Sequence, residues 1–203
     1  MKKILLLAIL SIIIIPACKK QQNNPSIVVT ASFPTITLGA KYYSITVGGL
    51  HPTVQATAYD SFYHESCKIV TIDSGINSFV AGFYTGYITA KNLYGFVSYD
   101  TYYVAVTNVS GALDISGTYT TPSNDSITTV VSRLATGFYS TSNYNAVNSI
   151  TNASAATSAL FVITGSATIV FNDGTPGTLG LIPVLDDTTI SYNTAAGPVT
   201  FAK

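Results

Sequence analysis

Few side chains in this sequence are of the types that carry catalysis, and their spacing is poor for it. The most polar cluster is Tyr63-His64-Glu65-Ser66, where a His–Glu pair could bind a metal ion or transfer a proton. Adjacent residues of a strand point to opposite faces, however, and the pair lacks a third partner. Asp186 and Asp187 are adjacent carboxylates. Glycoside hydrolysis needs two carboxylates about 5 to 10 Å apart across a cleft, so this pair is more typical of a turn.

Other motifs that would indicate an enzyme are missing from the sequence. It contains no Gly-x-Ser-x-Gly elbow, no His-Glu-x-x-His zinc motif, no paired cysteines and no phosphate-binding loop. Cys67 lies in a strand-like run, where a small buried side chain is the expected role. The sequence therefore predicts a protein that is not an enzyme, with no catalytic residue, no metal site and no cofactor.

Two predicted loops place aromatic side chains beside polar ones, a combination suited to binding sugars. Asp60 and Tyr63 lie in Tyr-Asp-Ser-Phe-Tyr-His, and Asn92 and Tyr94 lie in Asn-Leu-Tyr-Gly-Phe. Sugar rings stack their C–H faces on aromatic planes, and loops at the end of a sandwich often carry recognition. We predict Tyr63 and Tyr94 as ligand contacts, with Asn92 and Asp60 as hydrogen-bond partners. Packing is the competing interpretation, because tyrosine is a good strand residue and the chain has no tryptophan.

The elements that must position these residues are strands. After Pro25, apolar and polar residues alternate with period two between turn signals, and charged residues are only 9% of the chain. Asp173-Gly174 is a strong hairpin signal. The predicted strands are 27–31, 35–38, 42–47, 53–58, 67–72, 83–91, 96–107, 117–120, 126–134, 137–141, 159–164, 167–171, 178–184, 188–193 and 198–202. The fold class predicted is all-β: an N-terminal immunoglobulin-like β-sandwich plus a C-terminal antiparallel β domain, either a sandwich or barrel-like.

The N-terminus has the pattern of an export signal. Residues 4–15 are apolar or nearly so and follow Lys2 and Lys3. This run is shorter than the roughly 20 residues of a membrane span and suits a secretory signal. Ile15-Pro16-Ala17-Cys18 resembles a bacterial lipobox, which implies that Cys18 becomes the first mature residue and carries lipid. The alternative is an ordinary signal peptide with an incidental cysteine.

The remaining chain divides into two halves that resemble known bacterial modules. We predict a signal peptide at 1–17, a lipidated cysteine and flexible tether at 18–26, an immunoglobulin-like domain at 27–108, a hinge at 109–116 and a C-terminal β domain at 117–203. The runs GFYTGYITAKNLYG and YYVAVTN resemble the bacterial immunoglobulin-like repeats of surface proteins. The runs ALFVITGSATIVFNDG and TTISYNTAAG resemble the C-terminal β domain paired with such repeats in Bacteroidetes lipoproteins, often in polysaccharide-utilisation systems.

Charge and the resemblance to known modules limit the classes of partner that are expected for this chain. Net charge is zero and no basic run follows Lys20, so nucleic-acid binding is excluded as a prediction. The resemblance implies a cell-envelope protein anchored to the outer membrane through lipid on Cys18, on the surface or the periplasmic face, with accessory glycan binding for an uptake system. The alternative is a structural or adhesion module that contacts other envelope proteins. The identity of the glycan, the domain that binds it and the oligomeric state stay open.

Overall fold

A computed structural model describes residues 29–122, 124–146, 156–165, 167–182, 187–194 and 197–203. Within these residues the chain is all-β, as the sequence predicted. Residues Ser32–Lys203 form one compact unit. In the described part of the chain, no helix is both long enough and apolar enough to cross a membrane.

The strands are β1 Thr35–Leu38, β2 Tyr42–Thr46, β3 Ala56–Asp60, β4 Glu65–Ser66, β5 Lys68–Ile72, β6 Gly82–Lys91, β7 Val97–Thr107, β8 Gly117–Thr121, β9 Asn124–Ala135, β10 Phe138–Thr141, β11 Ala159–Ile163, β12 Thr168–Phe171, β13 Pro176–Ile182, β14 Asp187–Thr194 and β15 Gly197–Ala202.

Most predicted strands agree with the observed ones to within two residues at each end. The strand predicted at 53–58 begins later and continues to Asp60, because its pairing with β1 sets its register from Ala56 to Tyr59. The two-residue strand β4 was not predicted, since two residues are too few to show alternation. Residues 29–31, the described part of the strand predicted at 27–31, are not in a strand.

The first half of the unit is a sandwich of two sheets. One sheet has the order β1-β3-β4 and the other β2-β7-β6-β5. In the second sheet β2 runs parallel to β7, and the other pairs are antiparallel. Ile88, Tyr102 and Val104 point from the four-stranded sheet into the core, where they meet Ile36 and Leu38 of β1. Alternation along β6 and β7 therefore gives one face to this core and the other face to the outside of the sandwich.

The second half is a closed barrel with the strand order β10-β11-β12-β13-β14-β15-β8-β9. The predicted Asp173-Gly174 turn is confirmed: β12 and β13 are antiparallel, and Gly174 has φ of 86°. Aromatic and aliphatic side chains fill the barrel, so it is a packed core rather than a channel. They include Tyr119, Val131, Tyr139, Phe161, Ile163, Ile169, Phe171, Leu179, Ile190, Tyr192 and Phe201.

The barrel packs against the outer face of the four-stranded sheet through its strands β9, β10 and β11. Phe138 and Val162 are neighbours in register and both lie in a buried cluster with Ala105 of β7. The Phe138 ring meets Tyr42 and Phe83 edge to face, with centroid distances of 5.4 Å for each pair. This contact covers the end of the sheet that contains Phe83 and leaves the other end uncovered.

The segment predicted as a hinge, 109–116, contacts the barrel. Ile115 is buried in the barrel core, and Val109 and Leu113 pack against it. The Tyr139 hydroxyl donates to the carbonyl oxygen of Leu113 at 3.0 Å, and the Tyr119 hydroxyl donates to that of Ile115 at 2.6 Å. These contacts fasten the segment to the barrel, and its role as a hinge stays a prediction.

Gly86 offers a test of the sandwich core. It lies opposite Tyr102 in the β6–β7 register, and a Cβ at this position would overlap the Tyr102 ring. Overpacking of this kind costs about 1–3 kcal/mol, so we expect Gly86→Ala to lower the free energy of unfolding by that amount in urea titrations. Gly75→Ala is the matched control, because the nearest atom to its added Cβ would be 3.9 Å away. Equal stability of the two variants would contradict this packing.

Candidate functional site

A buried hydrogen-bond network connects the two loops that carry the predicted site residues. Asn92 Nδ2 donates to Asp60 Oδ2 at 2.8 Å and to the backbone oxygen of Ser32 at 3.1 Å. Asp60 Oδ1 accepts from the Ser32 hydroxyl and from the backbone N–H groups of Phe62 and Tyr63. Asn92 Oδ1 accepts from the N–H groups of two residues in its own loop, Tyr94 and Phe96. Asp60 and Asn92 thus fix three chain segments at one end of the sandwich.

The charge state of Asp60 follows from this network. Burial raises the pKa of its carboxyl group, but hydrogen bonds from Ser32, Asn92 and the backbone N–H groups of Tyr63 and Phe62 outweigh that effect. The pKa of Asp60 is therefore lowered from its ordinary value, and the carboxylate is ionised at neutral pH. The ionised carboxylate of Asp60 accepts hydrogen bonds at both oxygens and so holds the loops together.

The four predicted residues do come together at this end of the sandwich. The rings of Tyr63 and Tyr94 stack with centroids 4.1 Å apart and planes 29° apart. Tyr94 is half exposed, whereas Asp60 and Asn92 are buried. The polar atoms of Asp60 and Asn92 bond to protein groups, so their observed role is to shape the loops. A ligand contact by Tyr63 or Tyr94 stays a prediction.

We use the term loop end for residues 32–33, 61–64 and 93–96. Apolar side chains from all three segments project from it: Phe33 is 61% exposed, Phe62 56% and Leu93 88%. Phe62 meets Tyr63 edge to face at 4.9 Å, and Phe33 meets Phe96 in the same way at 5.5 Å. The loop end therefore carries several exposed apolar side chains and two groups of aromatic rings, Phe62–Tyr63–Tyr94 and Phe33–Phe96.

The most polar sequence cluster, residues 63–66, lies in a turn and the short strand β4. His64 is exposed with φ of 55°, and Glu65 Oε1 accepts from the backbone N–H of Leu93 at 2.9 Å. Burial and the nearby carboxylates of Glu65 and Asp60 raise the pKa of the half-buried Cys67 thiol, which disfavours its nucleophilic form. Among the described residues, no three His, Cys, Asp or Glu side chains are grouped to hold a metal ion.

A second exposed surface lies on the uncovered part of the four-stranded sheet. Val70 and Ile72 of β5 lie beside Tyr87 of β6 and Tyr99 of β7 on one face, as their register shows. Tyr99 is 72% exposed, and the other three are between 42% and 49% exposed. This flat face continues directly from the contact with the barrel.

The barrel carries an uncharged surface of mixed polar and apolar residues that the sequence did not indicate. Two adjoining depressions of about 520 Å³ and 310 Å³ share Pro198, Val199 and Thr200 of β15. We call them together the barrel groove. Its polar lining comes from Thr121, Asn145, Thr178, Ser191, Asn193, Thr194 and Thr200. None of the lining residues is charged, and hydroxyl-bearing residues are so common in this half of the sequence that no local pattern marks those in the groove.

Several sequence predictions fall outside the described residues. They include the signal peptide at 1–17, the lipidated Cys18 with the flexible tether at 18–26, and Asp186 of the carboxylate pair.

Comparisons with known proteins add little to this geometry. No protein-family model matches the chain. No curated protein matches it. One solved structure that is similar is the lipoprotein BT2262 from Bacteroides thetaiotaomicron, at 17% sequence identity and a TM-score of 0.39, covering 83% of this chain and 98% of that chain. That score is below 0.5, and we draw no conclusion about fold or function from it.

The lowered pKa of Asp60 predicts a specific pH dependence. A carboxyl group whose pKa is depressed by folding stabilises the folded state above its unfolded pKa, about 3.9, and loses that contribution as the pH falls through its folded pKa. We expect Asp60→Asn to lower Tm at pH 7, and the difference from wild type to narrow as the pH falls below about 4. Thermal unfolding followed by circular dichroism between pH 7 and pH 2 measures this.

The control for this experiment is Asp100→Asn, at a residue that is only partly buried and accepts a hydrogen bond from the Thr101 N–H. It is expected to change Tm less at pH 7. A Tm difference for Asp60→Asn that stays constant down to pH 2 would contradict the lowered pKa.

Proposed function

We propose that this chain is a lipid-anchored protein of the bacterial envelope that binds a neutral polysaccharide without modifying it. The observation that carries the proposal is the chemistry of the barrel groove. Hydroxyl and amide groups line it, and no charged side chain does. Such groups can donate to and accept from sugar hydroxyls, and the two depressions are each large enough for a sugar unit.

The loop end supports this function less well. Asp60 and Asn92 would have to supply hydrogen bonds to a sugar there, but their polar atoms bond to the loops. The most exposed side chains of the loop end, Leu93 and Phe33, have no polar atom to offer. In this proposal the sandwich is a spacer that presents the barrel, as the resemblance to envelope immunoglobulin-like repeats implies.

A structural or adhesion role is the second candidate, and the exposed sheet face favours it. Val70, Ile72, Tyr87 and Tyr99 form a flat apolar surface that has no described covering element. Tyrosine is enriched at protein interfaces, and such a patch suits a protein partner in the envelope.

The barrel groove can be tested by affinity electrophoresis of the 24–203 form, which contains the whole compact unit. The gels would contain a panel of plant, host and microbial polysaccharides. We expect retardation by at least one neutral polymer, and Thr200→Lys should weaken it about tenfold, since Thr200 lines both depressions and the longer, charged side chain would obstruct the groove. Thr168→Lys is the matched control, because Thr168 is also an exposed strand threonine but does not line the groove.

Each outcome assigns the site differently. Retardation that Tyr94→Ala removes and Thr200→Lys leaves intact would move the site to the loop end, as the sequence predicted. No retardation by any polymer would contradict glycan binding and favour the sheet face as a protein contact.

Lipid attachment is tested separately. In a bacterium that processes lipoproteins, we expect Cys18→Ala to abolish incorporation of a labelled fatty acid and to release the protein from the membrane fraction, because the thiol that carries lipid is gone. Cys67→Ala, which changes the other cysteine of the chain, should leave both properties unchanged. Incorporation of the labelled fatty acid into Cys18→Ala would contradict lipid attachment at Cys18.

A further inference from the structure

The loop end has a feature that polysaccharide binding does not explain. Phe33, Phe62 and Leu93 are large apolar side chains on three separate segments, and each is more than half exposed. Tyr94, half exposed, stands beside them with its ring stacked on Tyr63. A group of large apolar side chains exposed to solvent in this way indicates contact with a partner or a membrane.

The support beneath this surface is rigid. Asp60 and Asn92 are joined by a buried hydrogen bond. They also accept hydrogen bonds from four backbone N–H groups, and these bonds hold both loops in place. Because the loops are already held by these bonds, little further ordering of the backbone is needed when the side chains enter a membrane. This lowers the entropic cost of docking.

The chain enters the compact unit at this same end. Ser32 is the first residue of the unit, its hydroxyl donates to Asp60 at 2.7 Å, and its carbonyl accepts from Asn92. Thirteen residues separate it from Cys18 in the sequence. Even fully extended, that length of chain spans at most about 50 Å. If Cys18 carries lipid, as the proposed function holds, the loop end is the part of the unit that the tether keeps near the bilayer.

Two lysines flank the apolar surface. Lys68 and Lys91 are partners in the β5–β6 register, both are exposed, and Lys91 precedes Asn92 and Leu93 in the chain. The one ion pair among the described residues is His51–Asp73, so neither lysine is in a direct ion pair with a described carboxylate. The carboxylate of Glu65 lines the same depression as the two lysines and accepts a hydrogen bond from the Leu93 N–H. Two exposed lysines beside one partly buried carboxylate leave an excess of positive charge there, which matches a membrane interface with anionic headgroups.

We propose that the loop end is a membrane-docking surface. Phe33, Phe62 and Leu93 enter the interfacial layer of the bilayer, Tyr94 lies at headgroup level, and the lysines contact anionic headgroups. Tyrosine favours this layer because it has an apolar body and a polar tip, and the apolar side chains of Phe33, Phe62 and Leu93 gain by leaving water. The inference rests on the lipid anchor of the proposed function and not on polysaccharide binding. In this docked arrangement the loop end of the sandwich contacts the membrane. The contact with the barrel, at Phe83, lies about 25 Å along β6 from Lys91.

A tryptophan reporter tests the docking, since the chain has no tryptophan of its own. The full lipidated chain with Leu93→Trp would be reconstituted in vesicles of brominated phosphatidylcholine with phosphatidylglycerol. We expect a blue-shifted emission, roughly half of it quenched by the bromine atoms, since interfacial side chains lie about 5–10 Å into the bilayer. Leu50→Trp is the matched control: Leu50 is 91% exposed but follows β2 at the opposite end of the sandwich.

The lysines are tested on the Leu93→Trp background. Adding phosphatidylglycerol to phosphatidylcholine vesicles should increase quenching, and the combined change Lys68→Gln and Lys91→Gln should remove that gain, with about a fivefold loss of partitioning for each lysine. Lys41→Gln removes one exposed positive charge at the start of β2 and should keep the gain. A gain that survives both lysine changes would overturn the headgroup contact.

Co-sedimentation separates the docking from the anchor. Protein that stays out of the vesicle pellet contradicts the lipid anchor and the docking with it. Sedimented protein in which Leu93→Trp is quenched no more than Leu50→Trp overturns the docking and leaves the anchor standing. Quenching of Leu93→Trp well above the control supports both.

Discussion

The antiparallel pairing of β10 with β11 is the contact on which the arrangement of the sandwich and the barrel depends. Phe138 and Val162 are partners in register and face the sandwich, while the next pair, Tyr139 and Phe161, faces the barrel interior. Because successive side chains of a strand point to opposite faces, these strands must be apolar on both. One pair of strands thus belongs to two cores. Its outward side chains join the barrel to the sandwich, and its inward ones help to fill the barrel.

This contact decides which surfaces of the sandwich stay available. The barrel covers the outer face of the four-stranded sheet around Phe83 and Ala105. The far part of that face, with Tyr87 and Tyr99, and the loop end beyond it remain exposed. The compact unit begins with Ser32 at the loop end, so the two ends of the sandwich differ: one contains the first residue of the unit and the other contacts the barrel.

The loop end also shows how burial changes the meaning of a polar residue. Asp60 and Asn92 were predicted as ligand partners because they stand beside aromatic residues in loops. In the structure they are buried and bond to each other and to loop N–H groups. A buried carboxylate is tolerated when several donors surround it, and those donors come from segments far apart in sequence. The sequence pattern selected residues that do meet at one end of the sandwich, while the tertiary contacts gave Asp60 and Asn92 a structural role.

Local alternation by itself determined the all-β class, the Asp173-Gly174 hairpin and most strand limits, because period-two burial and turn chemistry act over a few neighbouring residues. The partners of the strands came only from the tertiary structure. The parallel pairing of β2 with β7 and the closure of β15 on β8 join segments far apart in the chain, and backbone hydrogen bonds do not depend on side-chain identity. The barrel groove was likewise decided by closure, since Thr121, Asn145 and Thr200 meet only when the sheet curls on itself. The export signal stays a prediction from the sequence alone, since it is a pattern of apolar length and small residues that needs no folded partner.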